Sequence, residues 1–194
     1  MKGERRRLFV ALSLEEETRA ALERVAQGLA SHGVRGRFVP RENYHVTIAF
    51  LGSVQATLVQ DLSEALRAAA AIVEPFDLEL ETVGAFPNDR RPRIIWAGSR
   101  RPSPALGELS AATWSALEQF GFLPDREVQP HVTLCRCAPD SPPIVSVDFP
   151  AQTLRVTAMT LYESHLLRSG ARYVALETLP LCGGATGADG AMAR

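Results

Sequence analysis

Two four-residue motifs carry the side chains best suited to chemistry in this sequence. They begin at His45 and His131, read His-Val-Thr-Ile and His-Val-Thr-Leu, and contain two of the four histidines of the chain. An imidazole with an unperturbed pKa of about 6.5 exchanges a proton near neutrality, so one ring can accept a proton while the other donates one. The threonine hydroxyls can donate hydrogen bonds to oxygens on which negative charge develops. These side chains therefore suit a proton-coupled displacement at a phosphodiester.

Each motif needs a strand to direct its histidine and threonine to the same side. Side chains alternate along a strand, so His45 and Thr47 share one face while Val46 and Ile48 share the other. The same alternation separates the histidine and threonine of the second motif from its aliphatic residues. If the aliphatic faces form the core and the open faces oppose each other, two imidazoles and two hydroxyls converge on one cleft.

Both motifs lie in a unit that occurs twice. An offset of 86 residues aligns His45–Ile48 with His131–Leu134 and Arg7–Ala11 with Arg93–Ala97, and it lays the first predicted helix over the third. A repeated strand, helix, strand unit predicts two lobes related by a pseudo-two-fold axis.

The hydrophobic pattern predicts three helices among seven strands. The predicted helices cover residues 14–31, 56–73 and 103–120. The predicted strands cover residues 6–12, 44–52, 77–83, 93–98, 131–137, 153–163 and 172–179, with the last two joined near Ser169 and Gly170. Ser13 and Glu16 match a capping box for the first helix, and Pro104 occupies the favoured first position of the third.

The order of these elements favours an α+β fold. Helices interrupt the strands, but the chain has neither a regular parallel repeat nor a glycine-rich phosphate loop after its first strand. We expect one bilobal domain over residues 1–181. The glycine- and alanine-rich residues 182–194 are expected to form a disordered tail.

Composition excludes several classes of protein. With 194 residues, 46% hydrophobic and 22% charged, the chain is typical of a globular protein and not of a collagenous or disordered one. A net charge of −1 argues against broad coating of nucleic acid. Of the 21 basic residues 20 are arginine, which suits bidentate phosphate recognition, although a compositional bias is the simpler explanation.

The cysteines, the surroundings of the motif histidines and the apolar stretches lead to further expectations. The 3 cysteines are odd in number and lack zinc-ligand spacing, so we expect neither a disulfide framework nor a structural metal, and a reducing cytoplasmic setting. The two motif histidines also lack a carboxylate or cysteine at ligand spacing, so no metal or cofactor is expected there. No apolar stretch approaches the roughly 20 residues that span a membrane. Without a heptad pattern, we expect a monomer.

The residues around both motifs resemble the RNA 2',3'-cyclic phosphodiesterase family of the two-histidine phosphoesterase superfamily, historically called 2'-5' RNA ligases. The resemblance covers residues 5–181 and is carried by Arg7–Ala11, Asn43–Gly52, Pro130–Arg136, Leu161–Ser164, Gly170 and Tyr173. It implies a bilobal fold whose antiparallel sheets face a central cleft, with helices on the outside. It also implies metal-independent opening of a 2',3'-cyclic phosphate, on RNA ends or small cyclic nucleotides, to a 2'-phosphomonoester.

The resemblance also assigns roles to the motif residues. It makes His131 the proton acceptor and His45 the proton donor, which the near-equivalence of the two repeats leaves open. Thr47 and Thr133 would hold phosphate oxygens. Arg136 would bind the phosphate as well, but its strand parity is opposite to that of His131. It reaches the cleft only if the strand bulges; otherwise it is an exposed residue at a strand end.

The sequence contains further candidate residues, each with two interpretations or a structural one. Phe9 is either a base-stacking surface or a buried aromatic residue, and His165 is a possible contact in the groove. His32 fits a surface position beside a helix end, and Cys135 fits the core. An arginine cluster could follow an RNA backbone or could form a solvated face; it comprises Arg90, Arg91, Arg93, Arg100 and Arg101.

Two other functions are open at this point. A non-catalytic module could use the same residues to grip an RNA end. The same chemistry in reverse could join RNA ends through a 2'-5' linkage, although water at high concentration makes hydrolysis the expected net direction.

Overall fold

The structure, a computed structural model, describes residues 3–124, 127–144, 147–168 and 170–183, which contain ten strands, three α-helices and two single-turn 3-10 helices. The helices are α1 (Glu16–Ser31), α2 (Val59–Ala71) and α3 (Pro104–Glu118). The strands are β1 (Arg5–Ser13), β2 (Gly36–Phe38), β3 (His45–Gln55), β4 (Phe76–Leu80), β5 (Thr82–Phe86), β6 (Ile94–Gly98), β7 (His131–Cys137), β8 (Gln152–Val156), β9 (Ala158–Leu167) and β10 (Gly170–Pro180).

The strands form one large and one small antiparallel sheet. The large sheet has 8 strands in the order β10-β9-β1-β3-β7-β6-β5, with β2 paired to β7. The small sheet pairs β4 with β8. The predicted α+β class with antiparallel sheets is confirmed.

A pseudo-two-fold axis passes through the middle of the large sheet. Strands β3 and β7 pair at Val46 and Val132, which are equivalent residues of the two motifs. Equivalent residues placed opposite each other in an antiparallel pair are related by a two-fold axis between them. The helices follow the same symmetry, because α1 contacts β7 while α3 contacts β3. The duplicated architecture predicted from the repeat is therefore confirmed.

The helices cover the aliphatic face of the central strands. Leu22 and Leu29 of α1 and Leu106 and Leu109 of α3 are fully buried, as is Val132. Each such leucine removed from water contributes roughly 1.5–3 kcal/mol. By strand alternation, the histidines and threonines of the motifs face the other side of the sheet.

The start of the first helix differs from the prediction. Helix α1 begins at Glu16 and the capping position is Glu15, with no side-chain cap, so the predicted capping box is wrong. Strand β1 continues through Ser13, whose hydroxyl bonds to that of Tyr162 at 2.8 Å. Ser13 pairs with His45 of β3, so it belongs to the strand and not to the start of the helix, where the sequence pattern placed it. In α3 the expected start is confirmed, since Ser103 accepts a hydrogen bond from the amide of Leu106 at 3.3 Å.

Two predicted strands each divide into two. The strand predicted over residues 77–83 ends at Leu80 and a new one starts at Thr82, because β4 pairs with β8 whereas β5 pairs with β6. The strand predicted over residues 153–163 divides at Thr157 into β8 and β9. A hydrophobic pattern reports which residues are buried and not which strand they pair with.

The predicted alignment of β1 with β6, the first strands of the two repeats, is displaced by one residue. Ala11 pairs with Thr47 and Trp96 pairs with Thr133, so the structural offset of these strands is 85 residues. The motif strands keep the offset of 86, as the Val46–Val132 pair requires. Because one residue of slip exchanges the faces of a strand, Arg7–Ala11 and Arg93–Ala97 are not equivalent position by position.

The ends of the chain are described only in part. Of the predicted tail, residues 184–194 lie outside the described residues, and so does Ser169 in the last hairpin. Within the described ranges, no helix is both long enough and apolar enough to cross a membrane.

Candidate active site

A cavity of about 580 Å³ opens on the face of the sheet opposite the helices. Five of the six predicted site residues line it: His45, Thr47, Thr133, Arg136 and Phe9. The sixth, His131, does not line its surface. The cavity is therefore centred on the seam between the two motifs and extends toward the first.

The pairing across the seam explains how the motif residues meet. Next to the Val46–Val132 pair, antiparallel register sets His45 opposite Thr133 and Thr47 opposite His131. All four side chains lie on one face of the sheet. Each histidine is thus matched with the hydroxyl of the other motif.

Both imidazoles are oriented by the same hydrogen bond. Nδ1 of His45 lies 2.7 Å from the carbonyl oxygen of Asn43, and Nδ1 of His131 lies 2.8 Å from that of Gln129. A carbonyl oxygen only accepts hydrogen bonds, so Nδ1 carries the proton in each neutral ring. Nε2 is therefore the nitrogen of each ring that can exchange a proton.

The surroundings of His45 favour its neutral form. Burial lowers the pKa of His45 to about 4, and the positive charges of His131 and Arg136 act in the same direction, while the hydrogen bond to Asn43 opposes them. Two aromatic rings enclose the imidazole, with centroids 5.0 Å away for Phe9 and 5.2 Å for Tyr173. An anion bound beside the ring would offset both positive charges and raise this pKa.

His131 lies in a different aromatic environment. Its ring centroid is 5.4 Å from that of Phe86 and 6.5 Å from that of Trp96. Gly98 pairs with His131, and a Cβ at Gly98 would collide with the carbonyl oxygen of Pro130. Close backbone packing therefore holds the strand that carries this histidine.

Matching bulges direct one more side chain from each motif strand into the cavity. The pairings skip Ile48 in β3 and Leu134 in β7, so two successive residues are buried and the next one faces the cavity. In β7 that residue is Arg136, so the bulge that its predicted role required is present. In β3 it is Phe50, which is 51% exposed and lines the cavity. The sequence offered a signal for Phe50, because the offset of 86 aligns it with Arg136.

The cavity is also lined by two arginines, Arg7 and Arg37, for which the sequence pattern predicts no role in the site. The Cζ atom of Arg7 lies 4.6 Å from the ring centroid of Phe50, a cation–π contact. Arg37 of β2 lines the cavity as well. Strand β2 was not predicted, and three residues give too short a pattern to show one.

Phe9 and the remaining histidines are placed as follows. Phe9 lines the cavity but is only 3% exposed, packed against Tyr162 and Tyr173. His165 is exposed outside the cavity, with Nε2 3.7 Å from a carboxylate oxygen of Glu163. His32 is exposed at the end of α1, where its Nδ1 lies 2.8 Å from the carbonyl oxygen of Gly28.

The predicted arginine cluster does not line the cavity. Two of its members form ion pairs, Arg100 with Asp89 at 3.1 Å and Arg101 with Glu81 at 3.6 Å. Cys135 is fully buried in the core, as expected. Among the described residues, no three His, Cys, Asp or Glu side chains form a group that could hold a metal ion.

The chain is similar to known phosphoesterases. A family model described as LigT like Phosphoesterase matches residues 12–96. An RNA 2',3'-cyclic phosphodiesterase of Escherichia coli K12 is 35% identical over 179 residues, which are 90% of this chain and 96% of that protein. One of Geobacillus stearothermophilus is 32% identical over 188 residues, but this chain spans only 59% of its length. The crystal structure of E. coli LigT complexed with 3'-AMP is 31% identical, with a TM-score of 0.73 over 92% of this chain and 99% of that one.

Proposed function

Because this chain belongs to the LigT-like phosphoesterases, we propose that it hydrolyses the 2',3'-cyclic phosphate at the end of an RNA to a 2'-phosphomonoester. The observation that carries the proposal is the pair of imidazoles, His45 and His131, held by identical hydrogen bonds on the two sides of one seam. The curated name of the E. coli relative supports the choice of substrate.

The two histidines divide the proton transfers. Nε2 of His131 accepts a proton from water while the water oxygen forms a bond to phosphorus. The bond between phosphorus and the 3'-oxygen breaks, and the 3'-oxygen takes a proton from Nε2 of His45. The product is a 2'-phosphomonoester with a free 3'-hydroxyl, and exchange with solvent returns both rings to their starting states. No step is assigned to a metal ion.

Substrate binding prepares His45 to act as the acid. The lowered pKa keeps this ring neutral in the free protein near pH 7. Burial is the main cause of this lowered pKa, and the negative charge of the bound cyclic phosphate favours the protonated ring against it. The ring therefore gains its proton together with the substrate, where the leaving oxygen needs it.

Three side chains around the phosphate stabilise the developing charge. The hydroxyls of Thr47 and Thr133 lie on the face shared by the two imidazoles and donate to the non-bridging oxygens. The guanidinium of Arg136 adds charge-assisted hydrogen bonds.

Phe50, an exposed aromatic residue in the cavity, provides a face on which the terminal base stacks. Phe9, which the sequence also offers for this role, is packed against other aromatic rings.

A product assay tests the proposal. Purified protein is mixed with a 2',3'-cyclic nucleotide and with a short RNA that ends in a 2',3'-cyclic phosphate, and the 2'- and 3'-phosphate products are separated. We expect only the 2'-phosphate, at an unchanged rate in EDTA. The matched control is the His45→Ala, His131→Ala double variant, which should show no turnover.

Other results would contradict the proposal in distinct ways. Tight binding of the cyclic end without turnover would indicate an RNA-end binding module. Release of a 3'-phosphate would show that the leaving oxygen is assigned wrongly. Loss of activity in EDTA that returns with a divalent cation would contradict the metal-independent mechanism.

A further inference from the structure

Arg37 and Arg136 form a pair of like charges at one end of the cavity. They lie directly opposite each other in the antiparallel pairing of β2 with β7, and both line the cavity. Like charges in directly opposite positions destabilise a sheet, so the fold gains nothing from this pair. Two guanidiniums in one cavity suit a ligand that carries negatively charged groups.

Within the part of the chain that the structure describes, no carboxylate neutralises this pair. Among the described residues, no Asp or Glu lines the cavity, and neither Arg37 nor Arg136 forms an ion pair. By contrast, Arg35, two residues before Arg37, pairs with Asp140 at 3.1 Å. The basic residues of this region therefore divide into those held by acids on the surface and those left open in the cavity.

Arg37 also reaches away from the seam of histidines and threonines. One of its terminal nitrogens lies 2.7 Å from the position that a Cβ of Gly170 would occupy, at the start of β10. The guanidinium thus extends from β2 toward the β9–β10 hairpin. Arg136 is on the same strand as Thr133, whereas the guanidinium of Arg37 extends toward Gly170, so each guanidinium can contact a different phosphate of one ligand.

We propose that Arg37 binds the 5'-phosphate of the terminal nucleotide, while Arg136 and the threonines hold its 2',3'-cyclic phosphate. This inference rests on the proposed function. In an RNA the 5'-phosphate is the phosphodiester to the preceding nucleotide, and in a mononucleotide it is a phosphomonoester. The enzyme therefore selects a nucleotide that carries two phosphates, one at each side of the ribose, over a 2',3'-cyclic nucleoside phosphate with a free 5'-hydroxyl.

Three substrates with the same terminal base separate these cases. The first has a 5'-hydroxyl, the second a 5'-phosphate, and the third is the dinucleotide, whose second nucleotide carries the cyclic phosphate. A charged hydrogen bond contributes roughly 1.5–3 kcal/mol, so we expect kcat/KM to be at least about tenfold higher for the second and third substrates than for the first. In Arg37→Gln this preference should fall to about twofold or less, and Arg37→Lys should restore part of it.

Arg172→Gln is the matched control. Arg172 is exposed on β10 next to Tyr173, but it points to the other face of the hairpin and is not part of the cavity. The substitution removes the same charge close to the site, and the preference should stay at the wild-type value.

Salt dependence gives a readout that a purely structural role of Arg37 would not change. Added salt screens the attraction between a guanidinium and a phosphate, so each such contact makes affinity fall more steeply with salt. The slope for the dinucleotide should therefore exceed that for the 5'-hydroxyl substrate in the wild type, and the excess should disappear in Arg37→Gln.

The outcomes separate the two proposals. If the wild type turns over none of the three substrates, the proposed function fails. If it turns them over without a preference, or if Arg37→Gln lowers all three by the same factor, the role of Arg37 is wrong and the proposed function stands. A preference for the dinucleotide alone would show that the preceding nucleoside is recognised, and not the 5'-phosphate.

Discussion

The half of the sheet that carries His45 and the half that carries His131 agree in how they hold an imidazole. In each, the ring bonds through Nδ1 to the carbonyl two residues earlier, and a bulge three residues after the histidine buries two successive side chains. The halves differ in the side chain that follows the bulge, Phe50 in one and Arg136 in the other. They also differ at the residue paired with each histidine, which is Ser13 in the first half and Gly98 in the second.

This difference separates two tasks of the site. The features that both halves keep are those that orient a proton-exchanging nitrogen, which acid and base catalysis needs twice. The features that differ place an arginine, Arg136, after one bulge and an aromatic residue, Phe50, after the other. The two histidines are related by symmetry, but the side chains around them fix a single orientation of the asymmetric substrate.

Removal of either imidazole tests the shared part and has the largest expected effect. His45→Ala and His131→Ala should each lower kcat about 100-fold to 10,000-fold, because each removes one proton transfer. Steady-state kinetics on a 2',3'-cyclic nucleotide measure the loss. His32→Ala, at an exposed histidine outside the cavity, should change kcat less than twofold. A loss below about tenfold for either motif histidine would contradict the division of proton transfers.

Substitution after each bulge tests the part that differs. Arg136→Gln removes a charge-assisted contact to the phosphate and should lower kcat/KM about 100-fold. Phe50→Leu removes a stacking surface worth roughly 1–3 kcal/mol and should raise KM about tenfold with little change in kcat. If both substitutions changed kcat and KM in the same way, Arg136 and Phe50 would not have the separate roles of binding the phosphate and stacking on the base.

Replacing the residue paired with His131 by the residue type paired with His45 tests how tightly the second half is packed. Gly98→Ser introduces the residue type of the first half, but its Cβ would collide with backbone atoms, so the free energy of unfolding should fall by about 2 kcal/mol. Urea unfolding measures the change. Gly107→Ala is the control, because a Cβ there meets open space on helix α3 and should stabilise the protein by up to about 1 kcal/mol. Equal stability of Gly98→Ser and wild type would show that the strands adjust freely.

The lowered pKa of His45, the histidine of the first half of the sheet, predicts that stability changes with pH. Its pKa is about 4 in the folded protein and near its ordinary value of 6.5 in the unfolded chain. Between these values the unfolded chain binds the extra proton, so stability falls as the pH drops from about 6.5 to about 4, and the loss reaches about 3 kcal/mol. Urea unfolding as a function of pH should show a weaker decline in His45→Asn. An identical decline in both proteins would contradict the neutral state of His45.

Most of the central site could be predicted from the sequence because it rests on local periodicity and repetition. A strand of alternating residues fixes the faces of His45, Thr47 and Thr133, and the repeated motif predicts that the two sets meet. The pairing of Val46 with Val132 confirms that symmetry.

Features that depend on pairing between distant strands could not be predicted in the same way. The bulge before Arg136 changes strand parity without any signal within its own strand. Strand β2 consists of only three residues, so Arg37 gave no periodic pattern. The side chain of Ser13 matched a helix cap, but the ladder with β3 extended the strand through it.

The pH–rate profiles of the two single histidine variants test the central claim most directly. The wild type should give a bell-shaped profile of kcat/KM, because one ring must be protonated and the other neutral. In His45→Ala only the base remains, so the residual rate should rise with pH and then level off. In His131→Ala only the acid remains, so the residual rate should fall as the pH rises. If the two variants showed limbs in the same direction, or kept the bell shape, the assignment of His45 as proton donor and His131 as proton acceptor would be contradicted.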